Sequence, residues 1–295
     1  MARILALSSQ VARGTVGLSI IVPALQALGH EVIALPTVVL SNHPGHAHVA
    51  GQQIDPAVLG RMLDALDDNG WLGGVDAVLT GYLPSVDHVM FASATVQLVA
   101  ERRGRARLTV LCDPVLGDDP KGLYIDRAAA EAIRDVLMPS ADLATPNRFE
   151  LSFLTGRDIR SPADVACHDL ACRTLFATSI PSQRATEIVN VASTTATLRD
   201  DGSAAATNVP LRPHAPNGTG DLFSALILAS WLATPSPEQA LSFATAGVDF
   251  ALRGNTADMI PVSALPTAAT PLSWPAATEE LAALSPVAAT GLPRL

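Results

Sequence analysis

Asn217-Gly218-Thr219-Gly220-Asp221-Leu222-Phe223 is the stretch from which the rest of the chain can be read. Two glycines flank a hydroxyl residue, and an aspartate follows as an apolar helical run opens through Ala225, Leu226, Ile227, Leu228 and Ala229. This layout predicts a helix N-terminus with little side-chain bulk in front of it. Unpaired backbone N–H groups and the positive end of the helix dipole then converge on one spot and favour an anion there. Asp221 stands beside that spot in the first turn. An anion hole next to a general base is what phosphoryl transfer to an alcohol requires. Taken alone, the same residues also read as a loop whose Thr219 or Asp221 caps the helix.

Working outward, strand-like and helix-like segments alternate. Residues 4–7 read as a short buried strand, followed by a polar, glycine-containing loop over 8–17. A helical pattern over 18–28 ends at Gly29, and 31–36 reads as a second strand. Asp55 caps a helix over 55–66, with Pro56 at its first position. Strands are predicted at 77–80, 108–112, 143–144 and 174–177, and helices at 86–102, 128–136, 222–231 and 237–252. Residues 188–191 and 196–199 read as a late hairpin. Alternation of this kind implies parallel βαβ units with helices on both sheet faces. Ser8-Ser9, Gly81-Tyr82, Asp113-Pro114 and Thr178-Ser179 all follow strand ends. They gather on the carboxyl rim, where ligands bind in open α/β sheets. No internal repeat is evident. From about residue 261 the chain turns rich in Ala, Pro, Thr and Ser and reads as a surface tail, with one short helix around 279–284.

The bulk properties narrow the function. The 295 residues suit one large α/β domain or two small ones, and 48% hydrophobic content with a mean hydropathy of +0.30 supports a large core. A net charge of -9 and a pI of about 5.1 disfavour non-specific nucleic-acid binding. Three cysteines, an odd number without zinc-like spacing, argue against a disulfide framework. The N-terminus has no signal-peptide character and no apolar run reaches membrane-spanning length, so the chain reads as cytoplasmic with no membrane partner. Lys121 is the only lysine, which leaves few amines for stray Schiff-base formation with an aldehyde.

Three further segments carry two readings each. In Asp113-Pro114-Val115-Leu116-Gly117-Asp118, the two carboxylates can face a metal or the magnesium shell of a triphosphate, or they can be a solvated turn. Asn147 and Glu150 form a capping-box pair, or they stand near magnesium and nucleotide phosphates through water. Ser41-Asn42-His43-Pro44-Gly45-His46 has two histidines but no third ligand at metal-like spacing, so a loop closing over a ligand is expected rather than a zinc site.

The order of these pieces resembles the pyridoxal kinases of the ribokinase-like superfamily. The matching segments are Ser9-Gln10-Val11 through Arg13-Gly14 to Val16-Gly17, Leu40-Ser41-Asn42-His43, Leu79-Thr80-Gly81-Tyr82, Cys112 to Asp118, Thr145-Pro146-Asn147-Arg148-Phe149-Glu150, Thr178-Ser179 and Gly218 to Phe223. They are spread over roughly residues 1–260. Gly-Thr-Gly-Asp marks the superfamily; Ser-Asn-His, Thr-Gly-Tyr and Asp-Pro-Val-Leu-Gly-Asp together mark the pyridoxal kinase branch. The resemblance implies a three-layer α/β/α ribokinase-like fold with a mostly parallel central sheet, a kinase domain over 1–260 and an Ala/Pro-rich tail over 261–295. It implies transfer of the ATP γ-phosphoryl to the 5'-hydroxyl of pyridoxal, with Asp221 as general base. The amides of Gly218, Thr219 and Gly220 would stabilise the transferring group. Ser9, Val16, His43 and Tyr82 would bind the substrate. Asp113, Asp118, Asn147, Glu150, Thr178 and Ser179 would serve the nucleotide, with Asp113, Asp118 and Glu150 near Mg²⁺, partly through water. A homodimer and a K⁺ requirement are family expectations.

Pro44 stands where the family usually has Thr, which removes a hydroxyl and stiffens the loop, with consequences for vitamer preference. The loop after Asp118 is compact, and 175–179 is a weak version of the family's Thr-Ser strand. Alternatives are a kinase for hydroxymethylpyrimidine or another small alcohol, and a non-catalytic vitamer-binding protein on the same fold. A sugar kinase is disfavoured by the missing early Gly-Gly pair and by the lack of lid-like strands between Gly29 and Asp55.

Overall fold

In a computed structural model of the chain, residues 1–166, 169–194, 204–253, 259–270 and 272 are described. The elements in chain order are β1 (Arg3–Arg13), α1 (Leu18–Ala27), β2 (Glu31–Asn42), β3 (Gly51–Gln53), α2 (Pro56–Asp68), β4 (Ala77–Thr80), α3 (Val86–Arg103), β5 (Thr109–Cys112), β6 (Gly117–Asp118), β7 (Gly122–Leu123), α4 (Arg127–Ala132), β8 (Leu143–Ala144), α5 (Arg148–Thr155), α6 (Pro162–Ala166), β9 (Thr174–Pro181), β10 (Glu187–Thr194), β11 (Ala204–Pro210), α7 (Thr219–Ala233) and α8 (Pro237–Leu252). The large sheet runs in the order β11-β10-β9-β8-β5-β4-β1-β2-β3, and β6 and β7 pair separately. The strands from β2 to β9 across the middle are parallel, while β3, β10 and β11 add antiparallel pairs at the two edges.

Strand periodicity sorts the core into two layers. Successive side chains on a strand point to opposite faces. Leu5 and Leu7, Val78, Val110 and Cys112, Ala144, Leu175 and Ala177 face one layer, which α2 to α6 cover. Ile4 and Ala6, Leu79, Leu111, Leu143 and Phe176 face the other, which α1, α7 and α8 cover. Buried on both sides, these strands read as continuous apolar runs rather than alternating ones. The result is a three-layer α/β/α fold with a mostly parallel sheet, as the sequence predicts.

Several boundaries differ from the sequence reading. Residues 8–13, expected as loop, continue β1, because they pair with the equally extended far half of β2. Ser41 and Asn42 therefore end a strand, and Gly51–Gln53 returns antiparallel to it. A hairpin thus does lie between Gly29 and Asp55, and the argument against a sugar kinase from its absence falls. Of the late hairpin, β10 is present and its partner is β11; residues 196–199 lie outside the described residues, as does the helix expected at 279–284. The helix expected over 128–136 passes from α4 into a π-helical turn at Ile133–Leu137.

Phe176 is fully buried and meets Trp231 of α7 edge-on, with ring centroids 6.2 Å apart and planes at 84°. Phe176→Ala would leave a cavity between sheet and helix layer and should cost about 3–5 kcal/mol. Urea unfolding should show a lower midpoint at an unchanged slope; an unchanged midpoint would contradict this account of the core.

Candidate functional site

The parallel strands stop level with one another. Leu7 pairs with Thr80, Thr80 with Cys112, and Cys112 with Ala144, so the residues just beyond share one rim. Ser8 and Ser9 follow Leu7, Gly81 and Tyr82 follow Thr80, Asp113 follows Cys112, and Thr145 to Asn147 follow Ala144. Local irregularities aim these residues. The β1–β2 register slips between Ser8 and Ser9, leaving Thr37 as an extra residue on β2. Thr37 Oγ1 donates to the carbonyl of Tyr82 at 2.7 Å, and the amide of Tyr82 donates to Ser8 Oγ at 3.1 Å. A Cβ on Gly81 would lie 2.5 Å from that same Oγ, so the turn carrying Tyr82 needs glycine. The Tyr82 ring is half-buried against the core, and burial followed by the charge of Asp126 pushes its hydroxyl pKa up. On the other side, β9 bulges. Val189 pairs with Ile180 and Val191 with Ala177, so Thr178 and Ser179 together oppose Asn190. Ser179 sits at φ +60°, a conformation few side chains adopt, and bulges of this kind commonly re-aim residues beside active sites.

Two helix N-termini meet at Asp221. Gly218 precedes α7 at φ +94°, and a Cβ there would lie 1.7 Å from the carbonyl oxygen of Thr15. Gly17 precedes α1 at φ +55°, where a Cβ would strike Ser9 at 2.3 Å. The Asp221 carboxylate accepts hydrogen bonds from the Gly17 amide and from its own amide. The first amides of α7, those of Thr219 and Gly220, have no intrahelical acceptor and belong to the same helical turn as Asp221. Although part of its surface reaches solvent, Asp221 is enclosed by protein, and burial outweighs the two amides to raise its pKa to about 6.

One turn along α7, Ser224 Oγ donates to Asp113 Oδ2 at 2.8 Å and lies 2.8 Å from Thr145 Oγ1. Asp113 is 6% exposed, and its pKa rises to about 7 through burial and then the charge of Asp221, against the hydrogen bonds of Ser224 and Thr145. Glu150, also buried, is pushed well above the usual carboxylate range by burial and then by Asp113. Its two oxygens accept from the amides of Leu116 at 3.0 Å and Asn147 at 2.8 Å. Asn147 Oδ1 accepts from the Glu150 amide, completing a capping box, while its Nδ2 donates to the Gly117 carbonyl. Asn147 and Glu150 thus hold the turn that presents Asp118. One Asp118 oxygen is buried without a partner, and Lys121 stands 3.7 Å from the other. Among the described residues no three His, Cys, Asp or Glu side chains cluster as a metal cage. Buried, mutually repelling carboxylates with one orphaned oxygen fit a hard divalent cation that takes its remaining ligands from water and phosphates.

His43 comes over this turn from the β2–β3 loop. Its pKa is lowered by burial, then by Lys121 and His46, and is raised by Asp118, so it stands close to the Asp118–Lys121 pair. Val16 lies in the turn before α1 and is buried. The structure thus brings Ser9, Val16, Gly218, Thr219, Gly220 and Asp221 into one place, with Asp113, Asp118, Asn147 and Glu150 adjoining. Tyr82 and Thr178-Ser179 occupy the same rim.

Sequence reasoning gave no roles to Ser8, Gly17, Thr37, Thr145 and Ser224. Ser224 was findable, being three residues after Asp221 on the same helix face. Gly17 opens an apolar helix just as Gly218 does. Thr37 had no signal, since a register slip shows only once two strands are paired.

The rise at Asp113 carries a stability consequence. A carboxyl whose folded pKa exceeds its unfolded value of 3.8 binds more protons when folded, so stability falls as pH rises from about 4 to about 7. Asp113→Asn removes the ionisable group. It should flatten that decline and raise the unfolding free energy at pH 8 by an amount on the order of a few kcal/mol, and the thermal midpoint with it, with little gain at pH 4. Thermal melts of both proteins across that range check it, and parallel curves would refute it.

Comparisons with known proteins bear on the family and the fold. A family model described as phosphomethylpyrimidine kinase matches residues 21–261. The pyridoxal kinase of Deinococcus radiodurans is 35% identical over 246 residues, covering 81% of this chain and 82% of its own. That of Ovis aries is 34% identical over 242 residues, covering 77% and 76%. The solved structure of Leishmania donovani pyridoxal kinase in complex with ADP and pyridoxine superposes with a TM-score of 0.84 at 27% identity, covering 93% of this chain and 98% of that one.

Proposed function

This chain belongs to the pyridoxal kinase family, and we propose that it transfers the γ-phosphoryl group of ATP to the 5'-hydroxyl of pyridoxal, giving pyridoxal 5'-phosphate and ADP in vitamin B6 salvage. The observation that carries the reaction type is the Asp221 carboxylate, enclosed between the N-termini of α1 and α7 beside unpaired amides. In this reading Asp221 accepts the hydroxyl proton. A base with pKa about 6 is ionised at neutral pH yet more basic than an ordinary carboxylate, which suits proton abstraction there. The amides of Gly218, Thr219 and Gly220 receive charge on the transferring phosphoryl group, and the α7 dipole adds to them.

Ser9 bonds the polar edge of the pyridine ring. Val16 and Tyr82 pack on its faces, and His43 closes the mouth. Asp113, Asp118, Asn147, Glu150, Thr178 and Ser179 form the nucleotide side. Asp113 and Asp118 would supply the protein oxygens for Mg²⁺, with Glu150 acting across water and through the turn it holds; the ion, when bound, would supply charge neutralisation at the phosphates. Ligation there would relieve the Asp113–Asp221 repulsion. The pyridoxine and pyridoxamine bound in the Leishmania donovani enzyme make both reasonable further substrates. Pro44, exposed in the His43 loop, offers no side-chain hydrogen bond to the vitamer. No helix among the described residues is long and apolar enough to cross a membrane; a cytoplasmic homodimer remains part of the proposal.

The test is Mg²⁺- and ATP-dependent phosphorylation of pyridoxal, pyridoxine, pyridoxamine and hydroxymethylpyrimidine side by side, in K⁺ and in Na⁺. Pyridoxal should turn over fastest. Turnover of hydroxymethylpyrimidine alone would overturn the substrate assignment. Asp221→Asn should retain ATP binding while kcat falls by roughly 10²-fold or more, and equal turnover would sink the mechanism. In the native enzyme kcat/KM should rise with pH through about 6, as the free enzyme's base ionises. A limb near 4 would show that burial does not govern this carboxylate.

A further inference from the structure

Away from the catalytic rim, α4, α5 and the turn after Asp118 enclose an open cavity of about 580 Å³. Four arginines line it, Arg127, Arg134, Arg148 and Arg157, against two aspartates, Asp119 and Asp158. This excess of positive charge is unusual in a chain with 28 acidic and 19 basic residues. The acidic partners of two of these arginines, Glu131 and Asp135, lie outside the lining, and Asp158 is held by a fifth arginine. Arg127 is 3.7 Å from Glu131 and largely exposed, Arg134 pairs with its neighbour Asp135, and Asp158 pairs with Arg160. Arg148, less exposed than Arg127 and Arg134, is bound to Asp119. The wall between the arginines is aromatic. Phe149 and Phe153 line the cavity, and the Arg127 guanidinium lies 5.5 Å from the centroid of the Phe153 ring.

Guanidinium forks recognise phosphate oxygens in pairs, and an aromatic wall takes a flat ring. We propose that this cavity is a second ligand site, for a phosphate monoester dianion carried on a flat ring, and that its occupancy is felt at the nucleotide side of the catalytic site. The coupling is short. Arg148 follows Asn147, whose Nδ2 holds the Gly117 carbonyl, and Asp119 follows Asp118. Phe149 also packs on Gly117, where an added Cβ would meet its ring at 2.8 Å. A phosphate in the cavity competes with Asp119 for Arg148, and so loosens the turn that presents Asp118 to the nucleotide. The proposal does not depend on which alcohol the enzyme phosphorylates.

Two sources share this chemistry, a phosphorylated vitamer and a nucleoside monophosphate. The test is equilibrium dialysis of labelled pyridoxine 5'-phosphate, which has no aldehyde to react with Lys121, and of labelled AMP. The full chain is first saturated with a non-hydrolysable ATP analogue and pyridoxine. It should retain one further equivalent of one probe, and the stronger binder identifies the source. Arg127→Gln/Arg134→Gln should bind that equivalent at least about ten-fold more weakly, with unchanged basal turnover and thermal midpoint. The better probe should raise the KM for MgATP in the native enzyme and not in the double variant. Equal retention by both proteins, or no further equivalent in the native one, overturns the site. Retention without a change in KM overturns the coupling.

Discussion

Gly218 has no room for a side chain, and much of the site follows from that. Its Cα lies against the Thr15 carbonyl so closely that a Cβ would sit 1.7 Å from the oxygen. This contact brings the turn before α1 against the start of α7, two segments some two hundred residues apart in the chain. The same turn places the Gly17 amide on the Asp221 carboxylate. Thr15 Oγ1 in turn accepts from the buried amide of Ile260, which ties the segment after α8 to the same point. Backbone approach of this kind leaves no flexible group between the first amides of α7 and the turn that holds the Asp221 carboxylate, so their spacing is set by the main chain.

Around that contact the protein keeps carboxylates in a place that does not favour them. Asp221, Asp113 and Glu150 are all raised by burial, and Asp113 bears the repulsion of Asp221 as well. Each uses local donors to offset part of the cost: Gly17 for Asp221, Ser224 and Thr145 for Asp113, and the amides of residues 116, 117 and 147 for Glu150. What remains is a set of buried carboxyls whose mutual repulsion a divalent cation would relieve. A site that stabilises bound charge better than empty space is expected to cost the free protein stability.

Where the chemistry depends on backbone type, the sequence was legible. Glycine at 218, the capping box at 147–150 and the turn from Pro114 to Gly117 each announce a conformation through residues that few other conformations use. The layer structure was legible too, because continuous apolar strands separated by helical periods admit few arrangements. The far half of β2 and its return in β3 were not. Their pairing spans residues 43–50, and although Thr37 to Leu40 is rich in strand-forming residues, Pro36 before it reads as a strand end. The bulges at Thr37 and at Thr178–Ser179 are likewise properties of two paired strands, never of one. Asn147 and Glu150 show how two readings can coexist. Their side chains do satisfy a helix N-terminus, and in doing so they shape the turn that carries Asp118.

The unforeseen hairpin bears on how water is kept from the reaction. It carries His43 from one edge of the sheet toward Lys121 and Asp118 on the β6–β7 turn, so the mouth is approached from two sides. Against the charge of Asp118, burial, then Lys121 and His46, hold the His43 pKa below its ordinary value. Its Nδ1 accepts from the Gly45 amide at 3.0 Å, which steadies the loop and fixes the remaining ring nitrogen as the donor. At the His43–Pro44 step the loop therefore presents a ring nitrogen and a stiff proline rather than a side-chain hydroxyl. Closure of such a loop excludes water mainly by shape, and exclusion of water strengthens the electrostatic contacts between the base, the amides and the transferring group.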